Sequence, residues 1–209
     1  MILLVTRPEY DYTTRYISAW AKKVIEEATA RGCRVLDLVG ERASKKELES
    51  MLVKQKPSLV FLNGHGGDNL VTGQDEKIII KAGENEHLLK NTLTYALSCK
   101  SAKILGPESV KKGASAYIGY QEDFVFMFNE EKRTRPEDDK IAALFLDPSN
   151  QVIISLIKGH TARESCSNGK KSFARNIQKL VTSQTSKADT STLRYLLWDL
   201  KNLVVHEKK

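Results

Sequence analysis

Residues 58–67 read Ser58-Leu59-Val60-Phe61-Leu62-Asn63-Gly64-His65-Gly66-Gly67, and residues 93–102 read Leu93-Thr94-Tyr95-Ala96-Leu97-Ser98-Cys99-Lys100-Ser101-Ala102. Each is a short apolar run stopped by glycine or turn residues, the pattern of a strand buried in a parallel sheet. In open parallel sheets the reacting groups gather beyond the carboxyl ends of the strands. A histidine and a cysteine that end two strands of one sheet therefore share an edge. This reading makes the chain an α/β protein with a candidate site at His65 and Cys99.

Working outward, strand and helix signals alternate. Residues 1–6 read as a strand, 12–31 as a helix with Tyr16, Ile17, Trp20, Val24 and Ala28 on one stripe, and 33–38 as a second strand. Ser44-Lys45-Lys46-Glu47 fits a capping box opening a helix through about 55, and Pro57 follows it. After His65 a turn-rich stretch and the apolar 77–81 suggest a hairpin, followed by a brief helix near 84–90. A short helix is expected at 107–112, a strand at 113–120, and an exposed charged loop at 130–139. Helices are expected at 139–147, 149–158, 163–183 and 189–206. The expected organisation is a single domain over 1–209, with a sheet core in about 1–120 and a helical part in about 138–206.

Composition sets outer limits. The 209 residues are 41% hydrophobic and 28% charged, enough for one well-buried core. No apolar stretch approaches the roughly 20 residues that span a bilayer. The apolar N-terminal run is short and leads into Arg7-Pro8, unlike a signal sequence. Three widely spaced cysteines (Cys33, Cys99 and Cys166) make neither a disulfide framework nor a zinc cluster, so a cytoplasmic setting is expected. The net charge of +7 lies wholly in 158–209, with 11 basic and 4 acidic residues, while 1–157 balances. That basic third can meet an acidic partner or simply be solvated helix faces; without interleaved aromatics, nucleic acid is not expected.

A free thiol, with a pKa near about 8.5, is only slightly ionised at neutral pH, so a cysteine nucleophile needs a base or positive charge beside it. Imidazole can take that proton and later give it to a leaving amine. The glycines after His65 let backbone approach a substrate, and the Gly66 and Cys99 N–H groups are candidate donors to a tetrahedral oxyanion. Losing one such donor typically costs about 3 kcal/mol of barrier. Spacing shows no third, orienting carboxylate, so the expected machinery is a dyad. Glu122 and Asp123 follow the fifth strand and are candidates to read a basic substrate side chain. Asn63 is a candidate to orient the His65 loop, and Asp68 a turn opener. Cys33 and Cys166 read as packing residues, and His87, His160 and His206 as surface histidines without metal-ligand spacing.

At these residues the chain resembles a known family. A strand ending in His65-Gly66-Gly67, then a strand running into Ala96-Leu97-Ser98-Cys99-Lys100-Ser101-Ala102, is similar to the caspase-like cysteine peptidases of clan CD. Gly113-Ala114-Ser115-Ala116-Tyr117-Ile118-Gly119-Tyr120 with Asp123, and the later Ile141-Ala142-Ala143-Leu144-Phe145, resemble the CHAT and gingipain branch. The resemblance covers roughly 55–180. It implies a three-layer α/β/α fold with a mostly parallel central sheet and a cysteine endopeptidase. His65 and Cys99 would be its dyad, Gly66 and Cys99 its oxyanion donors, and a protein or peptide its substrate, with no cofactor. Two departures stand out: Leu97 occupies the place where some basic-specific members carry an acidic residue, and the helical repeats to which many CHAT domains are fused are missing.

Two other readings compete. A catalytically silent caspase-like scaffold would bind a partner through its basic C-terminal third. A flavodoxin-like domain would hold a nucleotide or flavin, although Gly64–Gly67 lacks the Lys-Ser/Thr of a phosphate loop. The strand near 113–120, if it edges the sheet, is also a candidate for pairing between two copies.

Overall fold

The computed structural model describes residues 1–182 and 187–208. Strands β1 (Ile2–Arg7), β2 (Arg34–Val39), β3 (Leu59–Asn63), β7 (Leu93–Leu97), β8 (Ala116–Tyr120) and β9 (Leu203–Glu207) form one six-stranded sheet in the order β2-β1-β3-β7-β8-β9. The first five strands are mutually parallel and β9 runs antiparallel to β8. A small antiparallel sheet of β4 (Gly66–Gly67), β5 (Leu70–Thr72) and β6 (Ile78–Lys81) stands on the loop after β3. The helices are α1 (Tyr12–Ala30), α2 (Lys45–Gln55), α3 (Leu105–Lys111), α4 (Lys140–Ile157), α5 (Ala162–Thr182) and α6 (Lys187–Asn202).

Side chains alternate across the sheet with period two, and this splits the core into two layers. Leu3, Val5, Leu59, Phe61, Tyr95, Ile118 and Tyr120 pack under α1, α4 and α5. Leu4, Val60, Leu62, Ala96 and Tyr117 pack under α2, α3 and the hairpin. Helices on both faces of a parallel sheet make the three-layer α/β/α architecture.

Three elements differ from the sequence reading. The expected helices 139–147 and 149–158 are one helix, α4, continuous through Pro148. Proline lacks the N–H that would bond the carbonyl four residues back. Here the Leu144 carbonyl accepts instead from Asn176 Nδ2 on α5 at 2.8 Å, so the helix continues. The expected helix 189–206 stops at Asn202, and Leu203–Glu207 is a strand. Antiparallel pairing with β8 outweighs the helical stripe there, and the β-branched Val204 and Val205 suit it. Consequently the strand near 113–120 is not an edge, because β9 covers it. At 18 residues and a mean hydropathy of 1.2, α4 is apolar enough to span a bilayer, yet it is largely buried against α1 and α5.

Strand order also locates the crevice. From β1 the chain crosses through α1 to β2 on one side, while β3, on the other side of β1, leads on to β7 and β8. The loops after β1 and β3 therefore diverge, and the cleft of a doubly wound sheet opens between such loops.

Candidate active site

The loop after β1 is the part of the site that sequence spacing missed. Arg7, at the end of β1, is buried and grips Asp37 of β2 through Nε at 2.8 Å and Nη2 at 2.6 Å. Its Nη1 donates to Ser18 Oγ at 3.0 Å, and Ser18 Oγ donates to Glu9 at 2.7 Å. This network fixes residues 8–11. Asp11 then caps α1: its Oδ1 accepts from the Thr14 N–H at 2.7 Å, and the Thr14 hydroxyl accepts from the Asp11 N–H, completing a capping box. The other carboxylate oxygen, Oδ2, lies 2.6 Å from His65 Nε2. Burial raises the Asp11 pKa, but the Thr14 amide and the His65 ring outweigh it and hold the carboxyl below its ordinary value.

His65 is brought to Asp11 by the end of β3. Asn63, fully buried, ties β3 to β1: its N–H donates to Thr6 Oγ1 at 2.9 Å and its Nδ2 to the Thr6 carbonyl at 2.8 Å. Gly64 follows with φ +155°, its α-carbon pressed against the Thr72 carbonyl, where a β-carbon would sit 2.0 Å from the oxygen. His65 then starts the hairpin, with its carbonyl accepting from the Thr72 N–H at 2.9 Å. The imidazole is about one-third exposed and lies beside the Tyr10 ring.

Cys99 sits two residues beyond β7, in a turn bound to the loop after β8. The Lys100 N–H donates to the Glu122 carbonyl at 3.1 Å and the Ala102 N–H to the Tyr120 carbonyl at 3.0 Å. Lys100 takes φ +56°, a left-handed conformation uncommon outside glycine, so the turn is sharp. The Cys99 thiol donates to the Phe124 carbonyl at 3.8 Å, and burial pushes its pKa up. At neutral pH the resting thiol is protonated.

Gly66 joins the two halves. A β-carbon there would lie 2.4 Å from the Cys99 carbonyl oxygen and 2.9 Å from Ser98 Cβ, so only glycine lets the His65 loop close on the cysteine turn. The His65–Thr72 bond makes that pair the hydrogen-bonded one, and ladder alternation then turns the Gly66 N–H away from β5. Among the described residues no hydrogen bond engages the Cys99 N–H.

The structure thus gathers Asp11, His65, Gly66 and Cys99 at the carboxyl edge of β1, β3 and β7. His65 bonds Asp11, and no hydrogen bond links its ring to the thiol. Where spacing offered only the pair His65 and Cys99, the structure adds a carboxylate beside the histidine ring. Sequence spacing did not point to Asp11, whose second oxygen meets His65. Asp123 pairs with Lys100 Nζ at 3.2 Å, and Glu122 contributes its carbonyl to the Lys100 turn. Asp68 pairs with Lys103, and its carbonyl accepts from the Ile104 and Leu105 N–H groups at the start of α3. Cys33 and Cys166 are buried, and His206 bonds the Ala102 carbonyl at 2.8 Å. No cluster of metal-ligating side chains occurs among the described residues.

The fold has a solved counterpart. The crystal structure of gingipain R, an Arg-specific cysteine proteinase, superposes with a TM-score of 0.60 at 12% identity, over 99% of this chain and 46% of that one. The central architecture is a caspase-like α/β fold, mostly parallel. At this identity the likeness is one of fold, and the chain spans about half the length of that proteinase. No family model and no curated protein matches the sequence.

Proposed function

We propose that the protein is a cysteine endopeptidase in which Cys99 is the nucleophile, His65 the base and Asp11 the residue that orients it. The observation carrying this reading is the Asp11–His65 contact at the edge where Gly66 closes on Cys99. A carboxylate on Nε2 fixes the tautomer with that nitrogen protonated and leaves Nδ1 as the acceptor. In the first step Cys99 Sγ bonds the scissile carbonyl carbon, its proton passes to His65, and the oxyanion receives the Gly66 and Cys99 N–H groups. The C–N bond then breaks, the amine leaves with the proton from His65, and water hydrolyses the thioester with His65 again as base. No cofactor enters these steps. In this reading the thiol gives up its proton once a bound peptide has displaced water between Sγ and the ring, in keeping with a thiol pKa that burial raises.

The same raised pKa, with no thiol–imidazole bond at rest, favours a second reading, a silent scaffold of the same fold. Electrophilic peptide probes read by intact mass separate the two. A peptidase gives one-to-one labelling that disappears in Cys99→Ala and slows in His65→Ala. A scaffold gives equal, slow labelling of all three proteins or modification elsewhere.

A further inference from the structure

Beside the Cys99 turn lies a small cleft that the chemistry above leaves unused. Its walls are Asp123 and Val125 from the segment after β8 and Arg194, Tyr195 and Trp198 from α6, around a volume of about 200 Å³. That is below the roughly 300–1,000 Å³ of small-molecule sites and suits a single side chain. Two adjacent α6 residues grip the segment: Trp198 Nε1 donates to the Asp123 carbonyl at 2.8 Å, and Asp199 Oδ1 accepts from the Val125 N–H at 3.1 Å. Between those anchors the Phe124 carbonyl takes the Cys99 thiol. The cleft and the candidate nucleophile therefore share one short, doubly held stretch of backbone.

Its chemistry argues against a basic guest. The one carboxylate in the wall, Asp123, is already paired with Lys100 Nζ, and Arg194 adds a second positive charge. An incoming guanidinium would have to displace Lys100 and sit near Arg194. The remaining walls are an indole, a phenol ring and Val125, and Trp198 is 41% exposed, so its ring is open to an incoming apolar side chain.

We infer that this cleft receives an aromatic or branched aliphatic substrate side chain next to the scissile bond. The inference rests on the peptidase reading and reverses the expectation that Asp123 and Glu122 select a basic residue. Asp123 acts through its backbone and its Lys100 pair, and Trp198 selects the substrate.

The test has two arms on the full chain. Chloromethyl ketone peptides differing only at the residue next to the warhead (Phe, Leu, Arg, Lys or Asp) are compared for the rate of Cys99 labelling. The Phe or Leu probe is expected to react at least tenfold faster than the Arg probe, and Trp198→Ala to erase most of that preference, read as the ratio of the two probe rates within each protein. Tyr195→Ala, which retains Trp198, is expected to weaken it in part. Fastest labelling by Arg or Lys, or an unchanged order in both variants, overturns the inference and leaves the peptidase reading standing. In the second arm, indole fluorescence is followed during titration with N-acetyl-phenylalanine amide or N-acetyl-arginine amide. Should no probe label Cys99, the peptidase reading fails. A saturable response to the phenylalanine amide alone, weakened in Tyr195→Ala, then still supports the cleft, and no response or an equal one overturns it.

Discussion

Cys99 and Cys166 are both thiols whose pKa burial pushes up, yet they sit in different surroundings. Cys166 lies inside α5, 5% exposed, with the Lys170 charge near it. Cys99 lies beyond a strand end, partly exposed, with an unengaged backbone N–H, Gly66 against its carbonyl and the Asp11–His65 pair on the neighbouring loops. The difference teaches that thiol acidity does not distinguish the candidate nucleophile. What distinguishes it is the sheet edge, which sets an unengaged N–H and a histidine with a carboxylate partner on the loops around it.

The largest effect that would break the comparison is in probe labelling. Cys99→Ala is expected to abolish it, Cys166→Ala to leave it within about twofold, and His65→Ala to slow it by about 10²–10⁴-fold, the usual worth of a positioned base. Loss of labelling in Cys166→Ala alone would move the nucleophile to α5. Asp11→Asn sharpens the comparison further. Asparagine caps helices about as well as aspartate, so thermal stability should hold while labelling slows by between about tenfold and 10⁴-fold, as when an orienting carboxylate is neutralised. Equal losses of stability and labelling would reduce Asp11 to a cap.

Gly66→Ala tests the junction. Its new methyl must displace the Cys99 carbonyl, which is backbone, so a stability cost of about 1–3 kcal/mol in urea titrations is expected, together with lost labelling. An unchanged midpoint would show that the two loops are not in contact. Without substrate, a raised thiol pKa means less thiolate at pH 7 than a free cysteine has. Alkylation of Cys99 by iodoacetamide should therefore climb as pH rises through 9, and Cys166 should stay protected while the chain is folded. A rate flat below pH 8 would instead mean a preformed thiolate.

The smallest effect concerns Asp199. Burial holds its carboxyl well above the ordinary value, so the folded chain binds that proton more tightly than the unfolded one. Stability then falls as pH rises from the unfolded value near about 4 toward the folded one. Asp199→Asn keeps an oxygen for the Val125 N–H and carries no charge. Its Tm should gain on wild type as pH rises above about 4, and a constant difference would contradict a carboxyl whose pKa burial raises.

Much of this was legible in one dimension. The apolar runs into His65 and Cys99 are strands because a strand buried on both faces needs only a short stretch of apolar residues, and glycine or a turn residue marks its end. Their parallel pairing was expected from the alternation of strands and helices along the chain, although the connection between these two is the small hairpin sheet and a short turn. Helix α1 announced itself through its stripe. The end of α6 was not legible: Leu203 and Val204 continue a helical stripe, and only the open side of β8 turns them into a strand. Pro148 was read as a break because its relief, Asn176 on α5, is remote in sequence.

The candidate site divides in the same way. Sequence alone determined which residues end the core strands, and therefore that a histidine, a cysteine and flanking glycines stand at one edge. Tertiary structure alone decided that Asp11 meets His65, that Gly66 closes on Cys99 and that α6 returns to line a cleft beside the thiol. The physical reason is range. Strand burial and helix capping act between residues close along the chain, whereas the Asp11–His65 contact depends on where two diverging loops come to rest across the sheet.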